Sequence, residues 1–337
     1  MKWRWPRPLI RVALAAVVVP PLTLLPYAGS STDLARLRNA MVFEAAPREA
    51  FEWTPTQAPP DFLREEVRPS ASLAARAQAL QLDRLADDWG RAVAISQHLL
   101  TSVPRLSGGP IQAPLGETYQ RIVGRGEGYC ADFVRVFQAL AVAAGLPNRA
   151  WAFSFDGYGG HGHIVIEIWN REKRRWQMLD LFNNVYYADA QGQPLAALAV
   201  RDGFVRDPAA MNSVPLVPNA RPGYRIEEKL RAYYMRGLPE WYLWWGTNPY
   251  TVDAVLTRMP LSLMPRATGL LGTIAAGVHP KAVALVQESN SAQRSAMRWL
   301  QVQLVVVVTL VALGLVALAG SSAWRWAGRR SPPALSA

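Results

Sequence analysis

Cysteine is almost missing from this chain: Cys130 is the single one among 337 residues. No internal disulfide can form, and no second thiol exists from which to build a cysteine-rich metal site. Histidine is nearly as scarce, with only His98, His161, His163 and His279. Acids are absent from both tails. Lys2, Arg4, Arg7 and Arg11 crowd one end, and Arg325, Arg329 and Arg330 crowd the other. These seven supply most of the formal net charge of +11. The rest of the chain is too weakly basic for a nucleic-acid footprint, so no nucleic-acid partner is expected. No internal repeat is visible. Gly124-x-Gly126-x-Gly128 lacks the preceding strand and the spacing of a nucleotide fingerprint, and no cofactor is expected.

What is present is an ordinary globular composition, 50% hydrophobic and 18% charged, which excludes global disorder. Two apolar runs stand out at the ends. Leu9 to Tyr27 follows the basic leader and is interrupted by Arg11 and Pro20-Pro21. It fits a signal peptide or an uncleaved anchor, and Pro26-Tyr27-Ala28 is a poor cleavage site, which favours the anchor. Val302 to Ala319 carries no charge, and with its flanks reaches the ~20 residues needed to span a hydrocarbon core. Trp299, Trp324 and Trp326 bracket it as an interfacial belt should. The positive-inside rule then places both tails in the cytoplasm and exports the middle. A two-pass inner (plasma) membrane protein is expected, with its main domain periplasmic or extracellular. A free thiol in such an oxidising compartment calls for a chemical reason.

The regions expected are 1–28, an anchor or signal segment; 29–88, a helical arm; 89–190, a catalytic domain; 191–298, an aromatic-rich membrane-proximal region; 299–322, a transmembrane helix; and 323–337, a basic tail. Asp33 to Ala46, Ser70 to Ala86 and Trp89 to Thr101 have helical spacing. His98 within the last of these reads as structural. Phe133, Val134, Phe137, Leu140, Ala141 and Ala144 recur at i, i+3, i+4 and i+7, predicting an amphipathic helix from Cys130 that stops at Gly145. The period then changes to two. Arg149 to Phe155, His163 to Trp169 and Arg174 to Phe182 read as strands of an antiparallel meander. That order predicts an α+β domain whose sheet packs on the Cys130 helix. Trp241-Tyr242-Leu243-Trp244-Trp245 is either local core, an interfacial contact or a platform for sugar rings. Met259 to Val283 is apolar but broken by Pro260 and Pro265, and is not read as a span.

Cys130 would lie at a helix N-terminus, where the macrodipole and unpaired amides favour thiolate. The same amides could hold an oxyanion. Gly126 and Gly128 permit close approach of backbone and substrate. On the strand 163–169, His163, Val165, Glu167 and Trp169 share a face while Ile164, Ile166 and Ile168 point to core. On the next strand Asp180 shares a face with Trp176, Met178 and Phe182, so it can lie beside His163. A carboxylate between Leu179 and Leu181 needs a partner if buried. Cys130, His163 and Asp180 are therefore the candidate nucleophile, base and orienting acid. Tyr129, Asp132 and His161 are candidate substrate contacts, with Asp132 also readable as an N-terminal helix acid. His161 competes with His163 for the role of base. His161-x-His163 with Cys130 or Asp180 could instead ligate a metal, but the lack of further ligands argues against it.

The pattern G-x-G-x-C-x-D-F, a helix ending in A-G-L-P-N-R, a strand opening on His and carrying Glu four residues later, and W-x-x-L-D resembles the transglutaminase-like cysteine enzymes over about residues 90–190. The resemblance implies a papain-like core, with Cys130, His163 and Asp180 as the triad and Arg149 and Glu167 as framework. The family often has His-Ala-Trp where this chain has His163-Ile164-Val165, which bears on substrate preference. The function expected is a membrane-anchored cysteine acyltransferase or amidohydrolase acting on a peptide, protein or amide-bearing envelope substrate. The alternative is a non-catalytic scaffold in envelope or polysaccharide assembly.

Overall fold

The computed structural model describes residues 7–329 apart from 105–106, 112, 219, 221–222 and 259–265. Of 7, 266–270 and 323–329 only the backbone is described. Lys2, Arg4, Arg330, Pro260 and Pro265 lie outside the described residues.

The chain opens with α1 (Arg7–Leu22) and α2 (Ser31–Met41), then β1 (Phe43–Ala46) and β2 (Leu63–Arg64). Next come α3 (Ala71–Ala79), α4 (Asp88–Thr101), α5 (Leu115–Arg125) and α6 (Cys130–Ala143). The meander is β3 (Asn148–Ser154), β4 (Gly162–Asn170) and β5 (Arg175–Leu179), followed by β6 (Val185–Tyr187), α7 (Ala197–Arg206) and β7 (Ser213–Pro215). Then α8 (Glu227–Gly237), β8 (Glu240–Trp244), β9 (Gly246–Thr247), α9 (Pro249–Thr257), α10 (Arg266–Ala275) and β10 (Ala282–Leu285) lead into α11 (Ser291–Arg329).

The fold is α+β around a six-stranded sheet of order β1-β10-β8-β3-β4-β5. The sheet is mixed rather than wholly antiparallel, because β1 pairs parallel with β10. It also draws strands from outside 89–190: β1 from the arm, and β8 and β10 from the region after 190. The helical spacing of Asp33 to Ala46 therefore holds only as far as Met41. Val42 and Phe43 then turn the chain into β1, whose ladder with β10 satisfies the backbone.

Two cores follow from strand alternation. On one face, Phe133, Phe137 and Leu140 of α6 pack on Ala150, Ile166, Ile168 and Leu179, with α3, α4 and α5 behind them. On the other, Phe51, Trp53 and Phe62 join α7 and α8 over Trp151, Val165, Met178, Trp241 and Leu243. The aromatic run 241–245 lies largely within this sheet. Trp241 and Leu243 are fully buried, Tyr242 and Trp245 nearly so, and only Trp244 is partly exposed. It is core, leaving no exposed platform for sugar rings. A third cluster seats α2 and the start of α11 on β1, β8 and β10.

From Glu288 to Ser322 the last helix is long and apolar enough to cross a membrane. The apolar helix at Pro8–Leu22 is shorter. The two pack antiparallel: Gln303 Nε2 donates to Thr23 O at 3.1 Å, and a Cβ on Gly314 would lie 2.8 Å from Ala13 O. Glycine at 314 is what lets the helices approach so closely.

Candidate active site

Cys130 begins α6, and the turn before it is built to hold that position. Gly126 closes α5 at φ +66 and Gly128 follows at φ +117, conformations that disfavour side chains. A Cβ on Gly128 would also press on Phe133 Cε2 and on Asp132 Cβ, each at 3.3 Å. The Asp132 carboxylate accepts from the Tyr129 N–H at 2.9 Å and the Ile111 N–H at 3.2 Å. It thereby joins the helix start to the preceding loop and lies favourably at the positive end of the helix. Cys130 itself is half-buried. The amides of Cys130 and Ala131 precede the first intrahelical bonds, which run from Asp132 and Phe133 to Tyr129 O.

His163 enters as the second residue of β4. The β4–β5 register sets Glu167 opposite Met178, so Asp180 falls on the diagonal from His163 rather than directly across. The reach is closed by side chains: Nε2 of His163 lies 2.7 Å from Asp180 Oδ2. Cys130 lies near enough to the ring to act on its charge. Both polar side chains are buried, His163 2% exposed and Asp180 0%. Burial alone would lower the histidine pKa. The Asp180 carboxylate, with Cys130 adding to it, outweighs that and pushes His163 up to about 10. Burial likewise acts to raise Asp180, and its histidine and hydrogen-bond donors hold it below the usual carboxylate range.

Asp180 is fully occupied. Oδ2 also accepts from Asn183 Nδ2 at 2.7 Å and from the Tyr234 hydroxyl at 2.7 Å, while Oδ1 accepts from the Asn183 N–H at 3.0 Å. Asn183 Nδ2 comes within 3.2 Å of His163 Nε2. A nitrogen that donates to Asp180 cannot also accept, so we read this as close packing and assign the amide hydrogen to the carboxylate. Tyr234 sits on α8, stacked on Phe204. Its neighbour Tyr233 lays its ring 5.6 Å from that of His163 and donates to Gly162 O at 2.7 Å.

The loop before β4 is anchored from two sides. Glu240 accepts from Ser154 Oγ at 2.5 Å and from the N–H of Tyr158 at 2.9 Å. From α2, Asn39 Nδ2 donates to Tyr158 O at 2.7 Å, and Arg36 donates to Asp156 O. Arg149 and Glu167 form a buried pair at 2.6 Å. Glu167 also accepts from Trp151 Nε1 and the Ala197 N–H. The Arg149 guanidinium lies 4.6 Å from the Trp53 ring centroid and 4.0 Å from that of Trp176.

Thus Cys130, His163 and Asp180 are brought together. Tyr129, half exposed, borders them as the cap of α6. Asp132 is turned to backbone amides. His161 is exposed, stacked on Phe155 and 3.6 Å from Asp156, while His163 is buried, so the two do not converge on one site. His98 meets Tyr119 at 2.8 Å. Asn183 and Tyr234 are the contributors that sequence reasoning missed. Asn183 carries a signal, an Asx-type turn three residues after the candidate acid. Tyr234 carries none, because only tertiary packing brings α8 there.

No protein-family model matches the chain, and no curated protein or solved structure matches it either.

Proposed function

We propose that this protein is a membrane-anchored cysteine enzyme of the transglutaminase-like kind, with a papain-like core, that breaks an amide or ester through an acyl-enzyme. The observation that carries this is the placing of half-buried Cys130, at the start of α6, beside the buried His163–Asp180 pair. His163 already holds, as imidazolium, the proton given up by Cys130, and the sulfur attacks the carbonyl carbon. The oxyanion that forms lies against the amides at the start of α6. Collapse breaks the bond to the leaving nitrogen or oxygen, which takes the proton from the His163 imidazolium and departs. A thioester remains on Cys130. His163 then removes a proton from water or from an amine, which attacks the thioester and releases acid or transferred amide with the thiol restored. Asp180 keeps its charge throughout and holds the ring.

The address we propose is the outer face of the inner membrane, with α1 and α11 as a two-span hairpin. Their antiparallel packing supports it, since both basic tails then fall on one side, as the charge bias requires. Exposed apolar side chains on both, among them Val12, Val19, Val305 and Val316, suit lipid contact.

The decisive experiment treats the purified full chain with iodoacetamide at pH 6 and maps the adduct. Cys130 should react at least tenfold faster than a free thiol, and His163→Ala should abolish the excess. Reaction at the rate of a free thiol, unchanged by His163→Ala, removes the activated nucleophile.

A further inference from the structure

Helix α11 is continuous from the sheet into the apolar segment, so it serves as a ruler for the height of the active centre above the bilayer. At its lower end, Gln301 Nε2 donates to Phe43 O at 2.6 Å, beside Val302 where the uncharged run begins. Phe43 stands in one row of the sheet with Ala282, Trp244, Ala150 and Ile166. Just ahead of its upper end, Asn290 Nδ2 donates to Leu285 O at 2.7 Å and to Pro239 O at 2.8 Å. Pro239 adjoins Glu240, which pairs with Ser154, which pairs with Gly162. His163 follows directly. The catalytic row is thus tied to residue 290 and the lower row to residue 301.

Two lengths give the separation. At a rise of ~1.5 Å per residue, the path from 290 to 302 climbs about 18 Å. By register, His163 is three strand residues beyond Ile166, or about 10 Å along β4. The smaller figure is a length along β4 and the larger a length along α11. Each headgroup layer adds only ~5–8 Å beyond the hydrocarbon. On either measure the centre clears the lipid surface.

We infer that the substrate carbonyl is presented in the aqueous space above the headgroups, on a polypeptide or an extended envelope polymer, and not on the acyl ester of a phospholipid, whose carbonyl lies at the hydrocarbon edge. The inference rests on the function proposed above for the identity of the centre, and on α11 as the span. Asn39 and Arg36, which hold the loop before β4, belong to the α2 segment that follows α1. The height is therefore fixed from both spans.

The test places single cysteines in the Cys130→Ala background, at His161 beside the centre and at Trp299 at the base of the soluble part of α11. Each is labelled with an environment-sensitive fluorophore and reconstituted in bilayers containing a headgroup-nitroxide phosphatidylcholine. The label at 299 should be quenched at least threefold more than the label at 161. Equal quenching at the two positions, or no quenching at 299, overturns the inference. Because Cys130 is replaced, the outcome is independent of its reactivity: fast alkylation of wild type with equal quenching would leave the enzyme reading standing and remove only this one. Should His161→Cys fail to fold, Tyr129→Cys, also exposed, takes its place. As a second arm, wild type is incubated with phosphatidylcholine and phosphatidylethanolamine vesicles and examined by intact mass. No fatty-acyl adduct on Cys130 is expected, and its appearance would refute the inference.

Discussion

Tyr234→Phe removes one oxygen and leaves the ring on Phe204 in place, so it isolates the hydroxyl bond to Asp180. That carboxylate is wholly buried, and no water can substitute for the lost donor. A hydrogen bond to a charged group contributes ~1.5–3 kcal/mol. With about 2–4 °C of melting temperature per kcal/mol for a mid-sized domain, the expected loss at pH 7 is ~3–12 °C. Its pH dependence identifies the partner. Asp180 has a depressed folded pKa, so its contribution is present above the unfolded carboxylate value and is lost as pH falls through the folded one. Removing a donor raises that folded pKa. The gap between wild type and Tyr234→Phe should therefore be full near neutrality and shrink as the medium is acidified, once Asp180 is protonated in both. Tyr233→Phe is the internal control: its hydroxyl meets a neutral carbonyl, Gly162 O, and its cost of ~1 kcal/mol should not vary with acid. The assay is tryptophan fluorescence melting of the full chain in detergent from pH 1.5 to 7.5, paired with the iodoacetamide rate at Cys130 near neutrality. A Tyr234→Phe gap that stays constant across this range, or equals that of Tyr233→Phe throughout, would refute the assignment of the hydroxyl to Asp180.

Four further outcomes are expected. His163 has a raised folded pKa of about 10, so its contribution is whole below pH 6.5 and fades as pH rises through 10; the melting gap between wild type and His163→Asn should narrow between pH 7 and 10.5, and a constant gap contradicts the charged pair. Glu167→Gln leaves Arg149 buried beside a neutral partner and should cost ~3–5 kcal/mol in urea unfolding, with a loss under 1 kcal/mol counting against it. Gly162→Ala would put a Cβ 2.1 Å from Phe153 O, forcing β3 and β4 apart at the active centre, and should both destabilise the fold and slow Cys130 alkylation. Gly124→Ala, with nothing within 4 Å of the added carbon and a helical position in α5, should be neutral or slightly stabilising.

Local pattern was legible wherever one period governed it. The apolar stripe of α6 and the alternation of β3 and β4 put Phe133 and Ile166 on one side and His163 and Glu167 on the other, as observed. The diagonal approach of Asp180 to His163 was within reach of the same alternation. What was illegible involved pairing over long separations. Nothing in Phe43 to Ala46 announces a parallel partner at Ala282 to Leu285. Nothing in Glu240 to Trp244 announces a place between β10 and β3. The aromatic density of 241–245 leaves core, interface and platform all open, because clustered rings suit interfaces as well as cores. Its strand is buried on both faces, which removes the alternation that would have distinguished the two.

The donors of Asp180 divide along the same line. A buried carboxylate requires several donors, and here one side chain is local and the other remote. Asn183 comes from the turn that ends the strand, so it follows once Asp180 is placed. Tyr234 arrives from α8, more than fifty residues later, and with it comes a helix that roofs the histidine through Tyr233. The local turn alone would leave the His163 ring open to water on that side, and water would weaken the pair that holds the ring in position. The segment after residue 190 is therefore part of the candidate site as much as the strand that carries the histidine. A chain cut at the end of the recognisable pattern, near residue 190, would keep Cys130, His163, Asp180 and Asn183. It would lose α8 and two of the six strands, β8 and β10, leaving β3 without that neighbour and β1 without its partner. On this argument such a fragment should not display the enhanced thiol reactivity expected of the whole protein.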